Sequence, residues 1–357
     1  MDDHLFAAAV DRGARGERLS REQAFELAAA ITPDRVHDLG RAALANRRQR
    51  FGDVATFVFN IQINPANICG AGCTFCNYAA SRHAEHAYVL TEDEILSQVE
   101  ALKPTEAHIV GGLNQVWPYE RNLELVRRLR QDHPDLHIKA FTAVEIAYFA
   151  ATARKSQSAV LNELKTAGMN ALPGGGAEIF SRRLYAKHWP NKIGPRRWVR
   201  IHQLAHDLKI PTNATMLFGF GDTWRERIEH LLTLRRAQDR SGGFTCFIPL
   251  PFQPGEGKFE THAPPPLEIL AVLAISRLVL DNIDHLKSYW PMTGLETAAA
   301  GLSWGGDDMD GTIGEEKIAH MAGARTPRGL ARDKMIATIR AAGFRPRERD
   351  GRFGDLS

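Results

Sequence analysis

The sequence predicts an α/β protein built as a closed (β/α)8 barrel of the TIM type, with N-terminal helices before the barrel and a C-terminal helical extension after it. Eight strand-like runs occur along the 357 residues, and amphipathic helical runs separate most of them. Such alternation is typical of parallel strands joined by right-handed crossovers. No long linker or charge block divides the chain. Glycine-containing or polar stretches follow six of the strands, where barrels of this kind carry functional groups. A doubly wound open sheet is the structural alternative.

The first 50 residues are predicted to be helical. Ser20 and Gln23 have the spacing of a capping box ahead of an apolar run, and a second helix is predicted at 34–50. Acidic residues stand where a secretory signal carries basic ones, and no apolar stretch approaches the roughly 20 residues of a membrane span. We therefore expect a cytoplasmic protein with no membrane span.

The predicted barrel begins with a buried strand at 56–65, because this run is β-branched and aromatic and is bounded by Gly52 and Pro65. A helix after Trp198 is predicted to end just before Pro211. The other strands are predicted at residues 106–110, 137–142, 170–173, 212–218, 244–250, 286–290 and 307–310. The predicted parts are an N-terminal helical extension (1–50), the barrel (51–324) and a C-terminal extension packed on it (325–357).

Charge and cysteine content exclude several classes of protein. The formal net charge is +3 and its positive excess is spread along the chain, so no nucleic-acid partner is expected. The chain has 4 cysteines, and three of them fall within eight residues. A secreted disulfide scaffold would distribute more cysteines along its length.

The three clustered cysteines, Cys69, Cys73 and Cys76, follow the first predicted barrel strand with the spacing C-x3-C-x2-C. Three thiolates in one loop can hold three corners of an iron–sulfur cube and leave the fourth iron open for an exchangeable ligand. The alternatives are a zinc site that lacks one ligand and reactive or structural thiols. Cys246 lies in an apolar strand, where a buried, inert thiol is the interpretation we favour.

The cysteine spacing, with the aromatic Phe75 directly before the third cysteine, resembles the radical S-adenosylmethionine (SAM) superfamily. Further blocks are similar, in order, to the aminodeoxyfutalosine synthase family of the futalosine route to menaquinone. These blocks are HIVGGL (108–113), KAFTAVEI (139–146), LPGGGAEIF (172–180), PTNATMLFG (211–219), FIPLPFQP (247–254), ISRLVLDNI (275–283) and EEKIAHMAGA (315–324). The resemblance covers about residues 55–324 and implies a 4Fe-4S cluster and S-adenosyl-L-methionine as cofactors.

The resemblance also implies roles for single residues. The three cysteines would bind the cluster, Phe75 would flank the adenine, and Gly111 and Gly112 would present backbone carbonyls to the methionine ammonium. Glu178 would hold the ribose hydroxyls. A tight turn is the alternative for the glycine pair, and a carboxylate in a first helical turn is the alternative for Glu178.

In that family the 5′-deoxyadenosyl radical adds to the vinyl group of 3-[(1-carboxyvinyl)oxy]benzoate, and carbon dioxide leaves. A substrate with two carboxylates needs cationic or hydrogen-bonding anchors. The candidates near strand ends are Lys139, Thr142, Asn213, Thr215, Arg277, Lys287 and His320. For each of them a surface or packing role is the alternative. His108 is predicted to be a hydrogen-bonded barrel residue, and Tyr289 and Trp290 are predicted to pack in the core.

Two positions depart from the family pattern. Asn114 stands where histidine is usual, and Phe220 stands in a motif that usually reads G-His-x-Glu. Both are predicted to lie at the catalytic face. They motivate a second hypothesis, a related cyclase or lyase that releases 5′-deoxyadenosine. The third hypothesis is a zinc- or nucleic-acid-binding module without catalysis. The expected partners are a small dicarboxylate substrate and an electron donor such as flavodoxin or ferredoxin.

Overall fold

A computed structural model describes residues 2–29, 31–255, 262–314 and 316–356. Three helices precede the first strand: α1 (Asp3–Ala14), α2 (Arg21–Ala29) and α3 (Pro33–Phe51). Ser20 and Gln23 form the predicted reciprocal pair before α2, with N–H to oxygen distances of 2.9 and 3.2 Å. The Thr32 side chain caps α3, and Pro33 occupies its first turn, where no N–H is needed. The predicted N-terminal helices are confirmed.

Within the described ranges nine strands follow, and most are separated by helices. The strands are β1 (Val54–Val58), β2 (Asn60–Ile63), β3 (Glu106–Ile109), β4 (His137–Ala140), β5 (Thr212–Phe218), β6 (Phe244–Pro251), β7 (His285–Leu286), β8 (Asp308–Gly311) and β9 (Arg345–Glu348). The helices are α4 (Glu92–Leu102), α5 (Tyr119–Asp132), α6 (Ala143–Thr152), α7 (Gln157–Ala167), α8 (Arg182–His188), α9 (Pro195–Asp207), α10 (Trp224–Ser241), α11 (Pro266–Val279), α12 (Trp290–Thr293), α13 (Leu295–Gly301), α14 (Ile318–Met321) and α15 (Arg332–Ala341).

The strands form a ring in which every neighbour is parallel. Ladders join β2 to β3 and β4, β5 to β6 and β7, and β8 to β1. Single parallel bridges connect these sheets: Lys139 with Ala171, Leu172 with Thr212, and Lys287 with Asp308. Because β1 and β2 are consecutive parts of one extended segment, the order returns to its start. The predicted TIM-type barrel is confirmed.

Two predicted strands are shorter in the structure. Residues 170–173 contribute only the bridges at Ala171 and Leu172. The strand predicted at 286–290 ends at the bridge of Lys287, and Trp290 begins helix α12. Pro291 explains this, since proline suits the first turn of a helix and cannot donate to a sheet ladder. Helix α9 ends at Asp207, three residues earlier than predicted.

The C-terminal extension contains a strand as well as the predicted helix. Met335 and Ile339 of α15 are fully buried in a cluster with Phe57 and Phe344. Strand β9 pairs in parallel with β1, and its polar, proline-containing sequence gave no strand pattern. The domain boundaries at residues 50 and 324 stay predictions. No described helix is long and apolar enough to cross a membrane.

Candidate active site

A cavity of about 310 Å³ opens at the carboxyl ends of the barrel strands. Most of the predicted site residues line it, although they come from segments far apart in the sequence. These residues are Cys69, Cys73, Phe75, Cys76, Gly111, Gly112, Lys139, Thr142, Glu178, Asn213, Thr215 and Lys287. The structure thus brings the three thiols, the glycine pair and most of the predicted anchors to one site.

The cysteine loop (residues 69–76) lies against the end of strand β3. The Leu113 N–H donates to Cys69 Sγ at 3.3 Å, and the Gly112 N–H donates to the Ala66 carbonyl at 3.0 Å. A Cβ atom at Gly112 would lie 2.3 Å from the Ile68 carbonyl oxygen and 2.9 Å from Cys69 Cβ. Glycine at 112 therefore allows the loop to approach the strand closely.

The donor set of the loop fits a cluster better than a single ion. All three thiols are half-buried and face the cavity. Structural zinc is held by four protein ligands, and the loop supplies three. A cubane takes one thiolate per iron, so its ligands stand further apart. Cys246 is fully buried outside the cavity lining, and burial raises its pKa to about 11. Its predicted burial is confirmed.

One side of the cavity mouth is formed by Phe75, Glu178 and Lys192. The Lys192 ammonium forms an ion pair with Glu178 and lies 5.9 Å from the centre of the Phe75 ring. Glu178 has φ = 48°, a left-handed conformation that is costly for a residue with a side chain and is found preferentially at functional sites. Lys192 was missed at the sequence level, because one lysine in a basic stretch carries no distinguishing signal.

Glu145 is a second residue that sequence reasoning missed. One of its carboxylate oxygens accepts the Gly111 N–H at 3.2 Å, and the other accepts the Thr142 hydroxyl at 2.8 Å. Burial raises the pKa of Glu145 to about 7. The available signal was the capping-box spacing from Thr142 to Glu145 directly after β4. The Thr142 hydroxyl lines the cavity but serves this cap.

The inner end of the cavity is a polar layer formed by His108, Lys139, Lys287 and Asp310, with Glu106 behind it. Lys139 Nζ lies 2.5 Å from Glu106, and Lys287 is ion-paired with Asp310. The Nε2 atom of His108 is buried and has no hydrogen-bond partner among the described residues. Burial lowers the pKa of His108 to about 3, so the ring is neutral at pH 7. The prediction that His108 is a fully hydrogen-bonded barrel residue is therefore wrong.

Tyr289 is buried in the core, as predicted. It lines the cavity, and its hydroxyl lies 3.0 Å from the Gln62 amide nitrogen. Trp290 is fully buried and donates to the Gly311 carbonyl at 2.8 Å, as expected of a core residue. Asn213 and Thr215 line the cavity, and each already has a protein partner. The Asn213 Oδ1 atom accepts from Thr245 at 3.1 Å, and the Thr215 hydroxyl donates to Gly174 at 2.7 Å.

Two predicted anchors lie outside the cavity lining, and their prediction is corrected. Arg277 lies on α11, and its guanidinium contacts the residues directly before β8. Its Nη2 atom lies 2.5 Å from Asp307, and its Nε donates to the Gly305 carbonyl. His320 Nε2 lies 2.7 Å from the Thr326 carbonyl oxygen. Both side chains are held by backbone and carboxylate partners of their own. The block at 315–324 begins with Glu315, which lies outside the described residues.

The two departures from the family pattern also lie outside the lining. Asn114 Oδ1 accepts the Val116 N–H at 2.8 Å and so closes a loop turn. Phe220 is buried, and its ring centre lies 5.8 Å from that of Phe75 and 5.6 Å from that of Phe252. Phe220 therefore supports Phe75 from behind. Both residues lie at the catalytic face, as expected from the sequence, although neither side chain lines the cavity.

The fold and this site define a class: an α/β barrel whose first strand leads into a loop of three thiols at the mouth of a buried polar cavity. Residues 63–234 match the radical SAM superfamily, and residues 241–356 match the CofH/MqnC C-terminal region. Methylornithine synthase (PylB) has the same fold, with a TM-score of 0.75 at 18% identity over 95% of this chain and 97% of that one.

Full-length relatives narrow the family. Aminodeoxyfutalosine synthase of Thermus thermophilus is 41% identical, covering 96% of this chain and 93% of that protein. Aminodeoxyfutalosine synthase of Streptomyces coelicolor is 38% identical, covering 99% and 94%. Cyclic dehypoxanthine futalosine synthase of Streptomyces coelicolor is 33% identical, covering 95% and 86%. The chain belongs to the radical SAM superfamily and, within it, to the family of the aminodeoxyfutalosine synthases, whose superfamily binds a 4Fe-4S cluster and SAM.

Proposed function

We propose that this chain is an aminodeoxyfutalosine synthase, which joins the adenosyl group of SAM to 3-[(1-carboxyvinyl)oxy]benzoate with loss of carbon dioxide on the way to menaquinone. The observation that carries the proposal is the shared cavity. The three thiols stand at its mouth and two buried lysines stand at its inner end. The identity to two synthases over nearly the whole chain supports the same reaction.

Cys69, Cys73 and Cys76 would hold the cluster, and the backbone of Gly111 and Gly112 would receive the methionine part of SAM. A cluster held there would supply the single electron that reductive cleavage of SAM requires. Phe75 would flank the adenine, held in place by Trp189 at 5.5 Å between ring centres. Glu178 would accept hydrogen bonds from the ribose, and its ion pair with Lys192 keeps the side chain oriented.

The polar layer would bind the carboxylates of the substrate. Lys139 and Lys287 are the cations of this layer, and Glu106 and Asp310 already balance their charges. A buried ammonium still has donors left after one ion pair, because it carries three N–H groups. The neutral His108 ring supplies a further donor or acceptor through its unpartnered Nε2 atom. Hydrogen bonds in this desolvated site gain strength from the low local dielectric.

The side walls of the cavity are apolar. Val110, Leu217, Ile248, Leu250, Phe252 and Met292 line it between the cysteine loop and the polar layer. Such walls exclude water from a reactive carbon radical. The site would therefore bind the substrate through its carboxylates, one of which is bonded to the vinyl carbon itself, while the apolar walls keep water away from the vinyl methylene carbon.

Anaerobic incubation of the iron-loaded protein with SAM, dithionite and 3-[(1-carboxyvinyl)oxy]benzoate tests the proposal. Mass spectrometry of the products is expected to show aminodeoxyfutalosine, and labelled substrate should release one carbon dioxide per product. Release of free 5′-deoxyadenosine without an adenosyl-linked product would reject the synthase and favour the cyclase or lyase. The Lys139→Met variant should raise the KM for the benzoate substrate more than that for SAM.

The remaining partners belong to this proposal. A flavodoxin or ferredoxin would supply the electron, and the protein would act in the cytoplasm on a small dicarboxylate without a nucleic-acid partner. The one-electron requirement of the superfamily chemistry supports a donor of this kind.

A further inference from the structure

One stretch of the chain carries several positive charges and no carboxylate. Residues 179–206 contain seven Lys or Arg and no Asp or Glu, although the whole chain carries only +3. The expectation that the excess is spread along the chain is therefore wrong. We call this stretch, which comprises helix α8, the following loop and most of α9, the basic segment.

The basic segment is in direct contact with the cysteine loop. The Thr74 N–H donates to the His188 carbonyl at 2.9 Å, and the Thr74 hydroxyl lies 2.8 Å from His188 Nδ1. Trp189 packs edge-on against Phe75 at 5.5 Å. The segment is thus joined by hydrogen bonds and an aromatic contact to the loop that would hold the cluster.

The outer side of this junction is open to solvent. Gly70, Gly72 and Thr74 of the cysteine loop are exposed. Arg182, Arg183, Lys187, Arg196, Arg197 and Arg200 of the basic segment are exposed as well. Arg183 pairs with Glu226. Within the described ranges, Arg182, Lys187, Arg196 and Arg200 form no ion pair with a carboxylate. Four exposed cations without a carboxylate partner therefore lie in the segment that contacts the cysteine loop.

We propose that the basic segment is the docking surface for a small acidic protein that delivers one electron to the cluster. The inference rests on the proposed function, because that chemistry consumes one electron per cleavage of SAM. The donor loses one electron and the cluster gains it, so no further co-reactant is needed. Complementary charge steers such encounters and orients the partner, chiefly through the association rate. Exposed glycines permit close approach to the thiols, and the cations beside them attract an acidic surface.

Two charge-reversed variants test the surface. Lys187→Glu/Arg196→Glu reverses two unpaired cations of the basic segment. Arg154→Glu/Arg240→Glu is the matched control, with the same change in net charge. Arg154 follows helix α6 and Arg240 lies in the last turn of α10, at the end of the barrel opposite the cysteine loop. Both control residues are exposed. Lys187→Arg/Arg196→Lys keeps the charge and should behave as the unaltered protein.

The probe is an acidic flavodoxin, and all proteins are iron-loaded under anaerobic conditions. We expect the Lys187→Glu/Arg196→Glu variant to bind flavodoxin at least tenfold more weakly at 50 mM NaCl, and the difference to shrink at 300 mM because salt screens exposed charges. Cluster reduction by flavodoxin, followed by electron paramagnetic resonance, should slow by a similar factor. Reduction by dithionite should not change. In the Arg154→Glu/Arg240→Glu control, the affinity for flavodoxin and the rate of cluster reduction by flavodoxin should each change less than twofold.

Three outcomes would overturn the inference. Equal loss in both charge-reversed variants would indicate a general charge effect. No loss in either would show that flavodoxin docks elsewhere. Transfer RNA that binds the unaltered protein as tightly as flavodoxin, and loses binding in the same variant, would identify a nucleic-acid surface instead. These readouts do not depend on the product, so a protein that accepts electrons at this surface but makes no aminodeoxyfutalosine would refute only the proposed function.

Discussion

The cysteine loop and the polar layer face the same cavity, but they are constructed in opposite ways. The loop is one continuous segment with half-buried thiols. The polar layer takes its residues from strands or segments separated by up to two hundred residues, and its ion pairs are almost fully buried. Substitution of a half-buried thiol in this loop can abolish cluster binding without unfolding the protein. A buried ion pair cannot lose one member without a cost in stability. The following predictions separate the two regions.

The largest effect is expected at the cysteine loop. Cys73→Ala should abolish turnover, because the cluster would lose one of its three ligands. The side chain is only half-buried, so the midpoint of thermal unfolding, compared for both proteins without iron, should change by no more than a few degrees. Cys246→Ala is the control, since that thiol lies outside the cavity lining, and it should retain iron. Turnover by Cys73→Ala within tenfold of the unaltered protein would contradict the assignment of the loop.

The polar layer should show the reverse behaviour. Lys287→Met leaves the buried Asp310 carboxylate without its ammonium partner, and the free energy of unfolding should fall by about 3–5 kcal/mol. Lys334→Met on the exposed side of α15 is the control, with a change within about 0.5 kcal/mol. Urea unfolding measures both variants.

The double variant Lys287→Met/Asp310→Asn separates the two roles, because asparagine is neutral and tolerates the left-handed conformation of residue 310 (φ = 65°). Removing both charges should restore most of the stability, while the KM for the benzoate substrate should stay elevated because the cation is missing. A double variant with ordinary KM would show that Lys287 serves the fold alone.

A smaller effect is expected at Gly112, which follows β3 and lies directly against the cysteine loop. In Gly112→Ala the new Cβ would approach the Ile68 carbonyl oxygen to 2.3 Å, so the cysteine loop must move. We expect a loss of about 1–3 kcal/mol of stability and a lower iron content per chain. Gly194→Ala is the control, because no atom lies within 4 Å of its added Cβ and its φ of −76° suits alanine. Full iron loading in Gly112→Ala would contradict the close-approach argument.

The smallest effect concerns acid stability of the barrel wall. His230 Nδ1 accepts the Phe180 N–H at 3.1 Å, and Nε2 lies 3.0 Å from the Thr215 carbonyl oxygen. Burial lowers the pKa of His230 to about 3. The unfolded chain therefore takes up a proton first, and the free energy of unfolding decreases as pH falls from 6.5 towards 3. Between pH 7.5 and 5.5 this residue should account for about 1.4 kcal/mol of the loss.

The His230→Gln variant should lose correspondingly less stability over that pH interval, measured by urea unfolding of each protein at both values. His37→Gln, at an exposed position, should lose as much as the unaltered protein. If His230→Gln loses as much free energy of unfolding between pH 7.5 and 5.5 as the unaltered protein, other groups control the decrease in stability at acid pH.

Much of the fold followed from local pattern. The alternation of strands and helices predicted the barrel, and the capping box at Ser20 and Gln23 formed as expected. Strand β9 escaped prediction because its residues have no strand pattern, and it forms only where α15 brings it beside β1. Arg277 was misassigned because sequence position does not reveal which side of a helix faces the barrel interior.

The cysteine loop could be identified from the amino-acid sequence, because three thiols, small intervening residues and the preceding strand lie in one short segment whose spacing is chemically specific. The polar layer and the pair of Glu178 with Lys192 became apparent only in the folded chain. Which charges become neighbours depends on how strands and loops distant in the chain pack together. It also depends on the desolvation that packing imposes, and neither factor is written in local sequence.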